Sequence, residues 1–175
     1  MYRESPEFNA NMLAFGIAVW IIFIVIYLGV YILQATAFFK MFKKADVEPA
    51  WLAYIPIAQV WPFFWTIKKS AWNILWFFLP VAGGIVGGIL LAAMQDNGGL
   101  AIFITIIVLS SIVPMILEII WTARLFKAFA LNPAWVLLVI GCFIPFINFL
   151  TTIGLIVIFC YMGFSKEVQY HPDFE

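Results

Sequence analysis

The chain has 175 residues, of which 66% are hydrophobic, 19% aromatic and 10% charged, and its mean hydropathy is +1.09. Soluble domains carry about 45–50% apolar and about 25% charged residues, so the polar groups that cover a water-facing surface are missing and the composition is that of an integral membrane protein. Nine basic and nine acidic residues cancel, which leaves no basic field for nucleic acid.

Residues 1–11 carry Arg3, Glu4 and Glu7, and residues 12–33 follow as an uninterrupted apolar run. A secretory signal needs a basic start and an apolar stretch of about 7–15 residues. This leader is acidic, and at about 1.5 Å per residue the run is long enough to cross a hydrocarbon core about 30 Å thick. It is expected to be a retained first span. The helix is expected to continue through 35–44, where Phe38, Phe39 and Phe42 share one face and Lys40, Lys43 and Lys44 fall largely on the other. Either the aromatic face dips into the lipid headgroups or the lysines simply flank the span. Both readings put this end in the cytoplasm.

Residues 49–67 are barely long enough to span and contain Pro56 and Pro62. A span here would place Lys43-Lys44 and Lys68-Lys69 on opposite sides, against the positive-inside rule. The segment is therefore expected to dip into the cytoplasmic leaflet and return. Lipid cannot satisfy a broken backbone, so the other hydrophobic runs must cover it. Trp51, Trp61, Trp65, Trp72 and Trp76 make five of the eight tryptophans, a density that belongs at the headgroup level.

A second span is expected over 71–94, with Ser70 as N-cap and Gln95-Asp96-Asn97-Gly98-Gly99 as a turn. A third follows over 100–121, closed by Arg124 and Lys127. The Asp96 loop has no Lys or Arg and should face outward, while Arg124 and Lys127 face the cytoplasm. Residues 133–164 as one straight helix would be about 48 Å long, too long for a bilayer core. Gly141 and Pro145 offer a break, followed by Asn148, Thr151 and Thr152. Either a short leading helix precedes a kinked fourth span, or the segment is a second re-entrant element. The expected fold is an all-α, polytopic transmembrane bundle of about four spans plus a Pro/Trp-rich re-entrant or interfacial segment. It forms one membrane domain over 1–164 with a polar tail over 165–175.

The chain echoes itself at an offset of 84. Phe42-Lys43 and Pro49-Ala50-Trp51 match Phe126-Lys127 and Pro133-Ala134-Trp135 without a gap. Proline in a first helical turn, behind Glu48 or a capping Asn132, is a helix start. A third Ala-Trp, Ala71-Trp72, opens the middle span, and Ile55-Pro56, Leu79-Pro80 and Ile144-Pro145 follow the three. A duplicated hairpin unit accounts for this, and chance matching of apolar sequence is the competing account.

These same residues, from Phe39-Lys40 through Lys43-Lys44-Ala45, Pro49-Ala50-Trp51, Ile55-Pro56-Ile57, Lys68 to Trp72 and Leu79-Pro80, resemble a family of small bacterial membrane proteins of unknown function. That family repeats a Trp and an Ile-Pro-x-x-Asn step, and the module is similar to the N-terminal membrane region of some bacterial type I signal peptidases. The stretch from Ala123 to Phe164 resembles the family's closing segment, so the likeness covers roughly residues 35–164. This chain departs from the pattern at Ala58-Gln59 and at Gly83, where the family has asparagine, and keeps an amide only at Asn148. No Ser/Lys pair stands in a soluble catalytic setting. The resemblance implies a membrane module of the bacterial cytoplasmic membrane rather than an activity.

Cys142 and Cys160 lie in apolar runs without a CxxC spacing, and the only histidine, His171, falls in the tail. They read as small buried hydrophobes. Metal, haem and nucleophilic sites then lack their ligands and bases, and neither enzymatic activity nor a cofactor is expected. Glu118 is the one acid deep in a span, six residues before Arg124. It is either a structural charge that snorkels or pairs with Arg124, Lys127 or the first basic loop, or part of a proton or ion path. Gly83, Gly84, Gly87 and Gly88 form a small-residue face suited to close helix docking, within the chain or with a partner. Pro62 and Pro80 read as kinks or, with Gln59, as a polar pocket. Trp51, Trp72 and Trp135, with Lys43, Lys44, Lys68, Lys69, Arg124 and Lys127, are the expected interfacial anchors. The leading expectation is a non-enzymatic accessory or scaffold subunit whose partners are the bilayer and other membrane subunits. A small transporter or channel comes next, using Glu118, Gln59 and Asn148, and a lipid- or apolar-cofactor-binding module third.

Overall fold

The computed structural model describes residues 6–94 and 97–173. Helix α1 (Pro6–Lys44) is followed by a 3₁₀ segment (Ala50–Tyr54) and α2 (Val60–Thr66). A second 3₁₀ segment (Ala71–Phe78) continues into α3 (Leu79–Met94), and α4 (Asn97–Ala128) comes next. A third 3₁₀ segment (Pro133–Val136) leads into α5 (Leu137–Cys142), and α6 (Asn148–Phe164) closes the bundle. No strand occurs among the described residues. Three stretches, Ala10–Lys44, Ala71–Met94 and Gly98–Ala128, are long and apolar enough to cross a membrane. Pro6 stands at the first position of α1, where its missing N–H is no loss.

Helices α1, α2 and α4 end alike. Val47 N–H donates to the Phe42 carbonyl at 3.0 Å, Lys69 to Phe64 at 2.8 Å and Leu131 to Phe126 at 2.8 Å. One residue earlier, Asp46 donates to Lys43, Lys68 to Trp65 and Ala130 to Lys127. These paired bonds are Schellman closures. Their left-handed residues are Asp46, Lys68 and Ala130, with φ of 53°, 53° and 55°, where glycine is the usual choice. Two residues on, a side-chain oxygen of Glu48, Ser70 or Asn132 accepts from the N–H of Ala50, Trp72 or Ala134 and starts the next 3₁₀ segment. The echo at offset 84 is thus a repeated helix-end unit, and Ser70-Ala71-Trp72 is its third occurrence.

Both interrupted segments fold as hairpins. After α1, Ala50 and Ala53 pack back on Phe38, Phe39 and Phe42, and Tyr31 Oη donates to the Tyr54 carbonyl at 2.9 Å. Pro56 and Gln59 share a small cavity with Tyr27 and Tyr31. Tyr27 lies 17 residues before Lys44, about 25 Å along the helix. The chain thus descends beside α1, and α2 brings it back. In the second hairpin α5 and α6 are antiparallel: Gly141 faces Thr151, and a Cβ on Gly154 would stand 3.1 Å from Leu138. Pro145 cannot continue a helix, and Phe146 at the tip takes φ 75° and is 99% exposed. Residues 133–164 therefore turn back on themselves and do not form the kinked fourth span.

The core sits where the helix ends converge. Met41, Phe64, Ile67, Leu125, Phe126 and Met162 are all 0% exposed there. Phe42 is also buried, so the aromatic face of 35–44 packs on protein and does not lie on headgroups. The flanking-lysine reading remains. The polar tail docks on this core. Val168 is buried, Tyr170 Oη donates to the Thr66 carbonyl at 2.9 Å, and His171 N–H donates to the Ala128 carbonyl at 2.8 Å. Away from this end, residues 20–30 of α1 are all exposed.

The glycine face divides in two. Gly83 meets Ser110, and a Cβ on Gly87 would stand 3.0 Å from Phe103 Cδ2 and 3.4 Å from its Cα, so this pair seats α3 on α4. Gly84 and Gly88 have nothing within 4 Å. Of the expected turn, Gln95 and Asp96 lie outside the described residues, and Asn97, Gly98 and Gly99 form the first turn of α4 instead. Gly99 is buried there because its bare Cα lets Leu91 and Met94 approach.

Two consequences are measurable. Gly87→Val should destabilise the purified protein in detergent by about 1–3 kcal/mol, the cost of overpacking, while Gly84→Val leaves thermal unfolding unchanged. Burial raises the pKa of Tyr170 above its ordinary value of 10.0. The folded state then favours the neutral phenol. That stabilisation is complete below pH 10.0 and is lost as pH rises through the higher folded value. Tyr170→Phe should cost about 0.5–1.5 kcal/mol at neutral pH and remove this alkaline component. Unfolding curves of both proteins at neutral and alkaline pH check it, and an equally steep alkaline loss in Tyr170→Phe contradicts it.

Candidate functional site

Residues at i, i+3 and i+4 share a helix face, and on α4 this rule groups Glu118, Trp121 and Thr122. They line a cavity of about 220 Å³. The facing walls follow the same rule. Phe38 and Phe42 come from α1, and the pairs Gln59 with Phe63 and Val60 with Phe64 come from α2 and the residue before it. Phe77 of the second 3₁₀ segment and Phe159 of α6 complete the lining. The cavity thus exists only because both hairpins return to the same end of the bundle.

The rings touch one another around it. Phe64 meets Trp121 edge-on, with centroids 4.7 Å apart and planes at 89°. Phe63 meets Phe64 at 76°, Phe77 leans on Trp121 at 5.7 Å, and Phe38 lies 5.1 Å from Phe159. Against these apolar walls stand three polar side chains: Glu118, which stays exposed, Gln59, half-buried, and Thr122, buried. Gln59 also borders a second cavity, with Gln34, Tyr27 and Tyr31. Gln34 lies 84 residues before Glu118, its counterpart in the repeat.

Glu118 does not make the ion pair expected of it. Arg124 is six residues on and Lys127 nine, so each projects from another face of α4. Among the described residues the ion pair is Lys43 with Glu48, at 3.5 Å and largely exposed, a type worth about 1 kcal/mol or less. The Glu118 carboxylate has neither an ion-pair nor a hydrogen-bond partner among the described residues.

The expected anchors gather at the converged end. Trp51, Trp72 and Trp135 are 56%, 76% and 49% exposed, each four or five residues after a left-handed helix-end residue. Lys69 borders a groove with Trp61, Trp65 and Trp72. Lys68 and Lys127 are exposed and Arg124 half-buried. Lys44 has a role that charge counting could not reveal: its Nζ donates to the carbonyls of Met162 and Ser165, both at 2.6 Å, and closes the C-terminus of α6. Pro62 and Pro80 make no kinks, since both fall in the first turns of α2 and α3. Cys142 and Cys160 are half-buried and free. Among the described residues no cluster of His, Cys, Asp and Glu has the makings of a metal site.

Sequence reasoning missed Thr122 and most of the aromatic wall. The i+4 spacing from Glu118 could have pointed to Thr122; the wall comes from distant segments and has no local signal. Comparison with protein-family models, with curated proteins and with solved structures finds no match.

Proposed function

We propose that this is a multi-pass, non-enzymatic protein of the bacterial cell membrane that binds a small ligand in the cavity beside Glu118. One observation carries the reading: a carboxylate with no partner among the described residues lines a cavity built from five separate segments and walled by aromatic rings. A carboxylate deep in a membrane helix marks a functional site by default, and among the described residues no ion pair holds Glu118 as a structural charge. In this reading Ala10–Lys44, Ala71–Met94 and Gly98–Ala128 cross the bilayer. The hairpins over 49–67 and 133–164 enter it from the cytoplasmic side, where the lysines and Trp51, Trp72 and Trp135 sit at the headgroups. Broken helices beside a site with a few inward polar groups are also how transporters hold substrates. Kinship with the small bacterial membrane proteins named above is part of this proposal and rests on the repeated Trp and Ile-Pro steps.

An accessory-subunit role is the second reading. It is favoured by the exposed residues 20–30 of α1 and by the open Gly84 and Gly88, surfaces on which another helix could seat.

Native mass spectrometry separates the two. Gln59 makes no side-chain capping bond at the start of α2, so Gln59→Trp can fill the cavity at little cost. The ligand reading expects a small molecule or lipid bound to the wild type and absent from Gln59→Trp. A ligand-free wild type that carries a second protein subunit would favour the accessory role.

A further inference from the structure

The cavity has one formal charge and it is negative. Its other polar groups, the Gln59 amide and the Thr122 hydroxyl, are neutral. An anionic ligand would meet repulsion, and a neutral apolar one would cover the carboxylate without pairing it, which is costly. An inorganic cation fits poorly as well. Calcium takes about 6–8 oxygen ligands and magnesium a full octahedron, whereas three oxygen-bearing side chains face this space. What the site has in quantity is aromatic surface. Phe38, Phe63, Phe77 and Phe159 are the lining rings that keep exposed surface, while Phe64 and Trp121 are buried edge-on against each other. Ring faces attract cations, and aromatic boxes are how proteins hold quaternary ammonium groups. The chain already uses this contact outside the cavity, where Lys40 Nζ sits 4.2 Å from the Phe164 ring centroid.

We infer that the cavity beside Glu118 binds an organic ammonium ion, its charge against the carboxylate and its apolar body against Phe38, Phe63, Phe77 and Phe159. The inference rests on the reading of this cavity as a ligand site and adds the chemical class. The ammonium has two natural sources, a free amine or the headgroup of an amino-phospholipid.

The test uses the full chain in nanodiscs of phosphatidylglycerol, which has no ammonium group, titrated with radiolabelled benzyltrimethylammonium. Neopentylbenzene, the same shape without the charge, serves as competitor. The expected result is saturable binding that weakens by about tenfold or more in Glu118→Gln, as for loss of a charged contact. Phe77→Leu, at a partly exposed wall position, should weaken it by about threefold or more. Neopentylbenzene should not compete. Nanodiscs containing phosphatidylethanolamine assign the source: reduced affinity identifies the lipid headgroup, unchanged affinity a free amine. Equal affinity in wild type and Glu118→Gln, or full competition by neopentylbenzene, overturns the ammonium assignment while leaving a ligand cavity in place. Saturable binding of neither compound overturns both.

Discussion

Four helices of this chain end at one place, and the carbonyl groups exposed by those endings must all find donors. A helix leaves four carbonyls unpaired at its C-terminus, and close to a hydrocarbon phase each unpaired one is costly. Here the donors are backbone N–H groups two or three residues past α1, α2 and α4, the ammonium of Lys44 for α6, the Tyr170 hydroxyl for Thr66 and the His171 N–H for Ala128. Fully buried Phe42, Phe64 and Phe126 occupy equivalent places in the three Schellman closures, so the residue whose carbonyl is capped is also the one that fills the core.

The rest of the architecture follows from that convergence. The two interrupted segments, 49–67 and 133–164, begin and finish near the same end, and both do so as hairpins. Their return brings α2 and α6 against α1 and α4, and the gap left among them is the cavity that Glu118, Gln59 and Thr122 face. Among the described residues the opposite end has no comparable core. There α3 and α4 hold each other through Gly83 and Gly87, and α1 runs on without intramolecular cover along residues 20–30.

Much of this was legible in the sequence because membrane constraints act locally. The apolar lengths identified the three long stretches, the lysine pairs at 43–44 and 68–69 required that 49–67 turn back, and Ser70 and Asn132 cap as their types predict. The repeat was visible as Phe-Lys and Pro-Ala-Trp. Its cause, the left-handed residue, was not, because Asp46, Lys68 and Ala130 take the place where glycine would have signalled it. The turn of 133–164 was also underdetermined, since Pro145 suits a kink or a tip until Gly141 and Gly154 are seen against Thr151 and Leu138. The tail misled through composition: Val168 and Tyr170 are few among polar neighbours, yet they are the residues that dock. The Glu118 site was half legible. Depth singled out the carboxylate, but whether Arg124 reached it depended on helix phase, and the opposing wall depended on contacts among segments far apart in sequence.

The proposed topology puts every basic helix end on one side of the membrane. Single cysteines replacing Lys43, Lys68, Lys127 and Lys166, in a chain with Cys142→Ser and Cys160→Ser, report this directly through a membrane-impermeant maleimide. All four positions should stay unlabelled in intact cells and react once the cytoplasmic face is opened. Labelling of the Lys68→Cys chain from outside would mean that 49–67 crosses the bilayer, and the convergence on which the cavity depends would be contradicted.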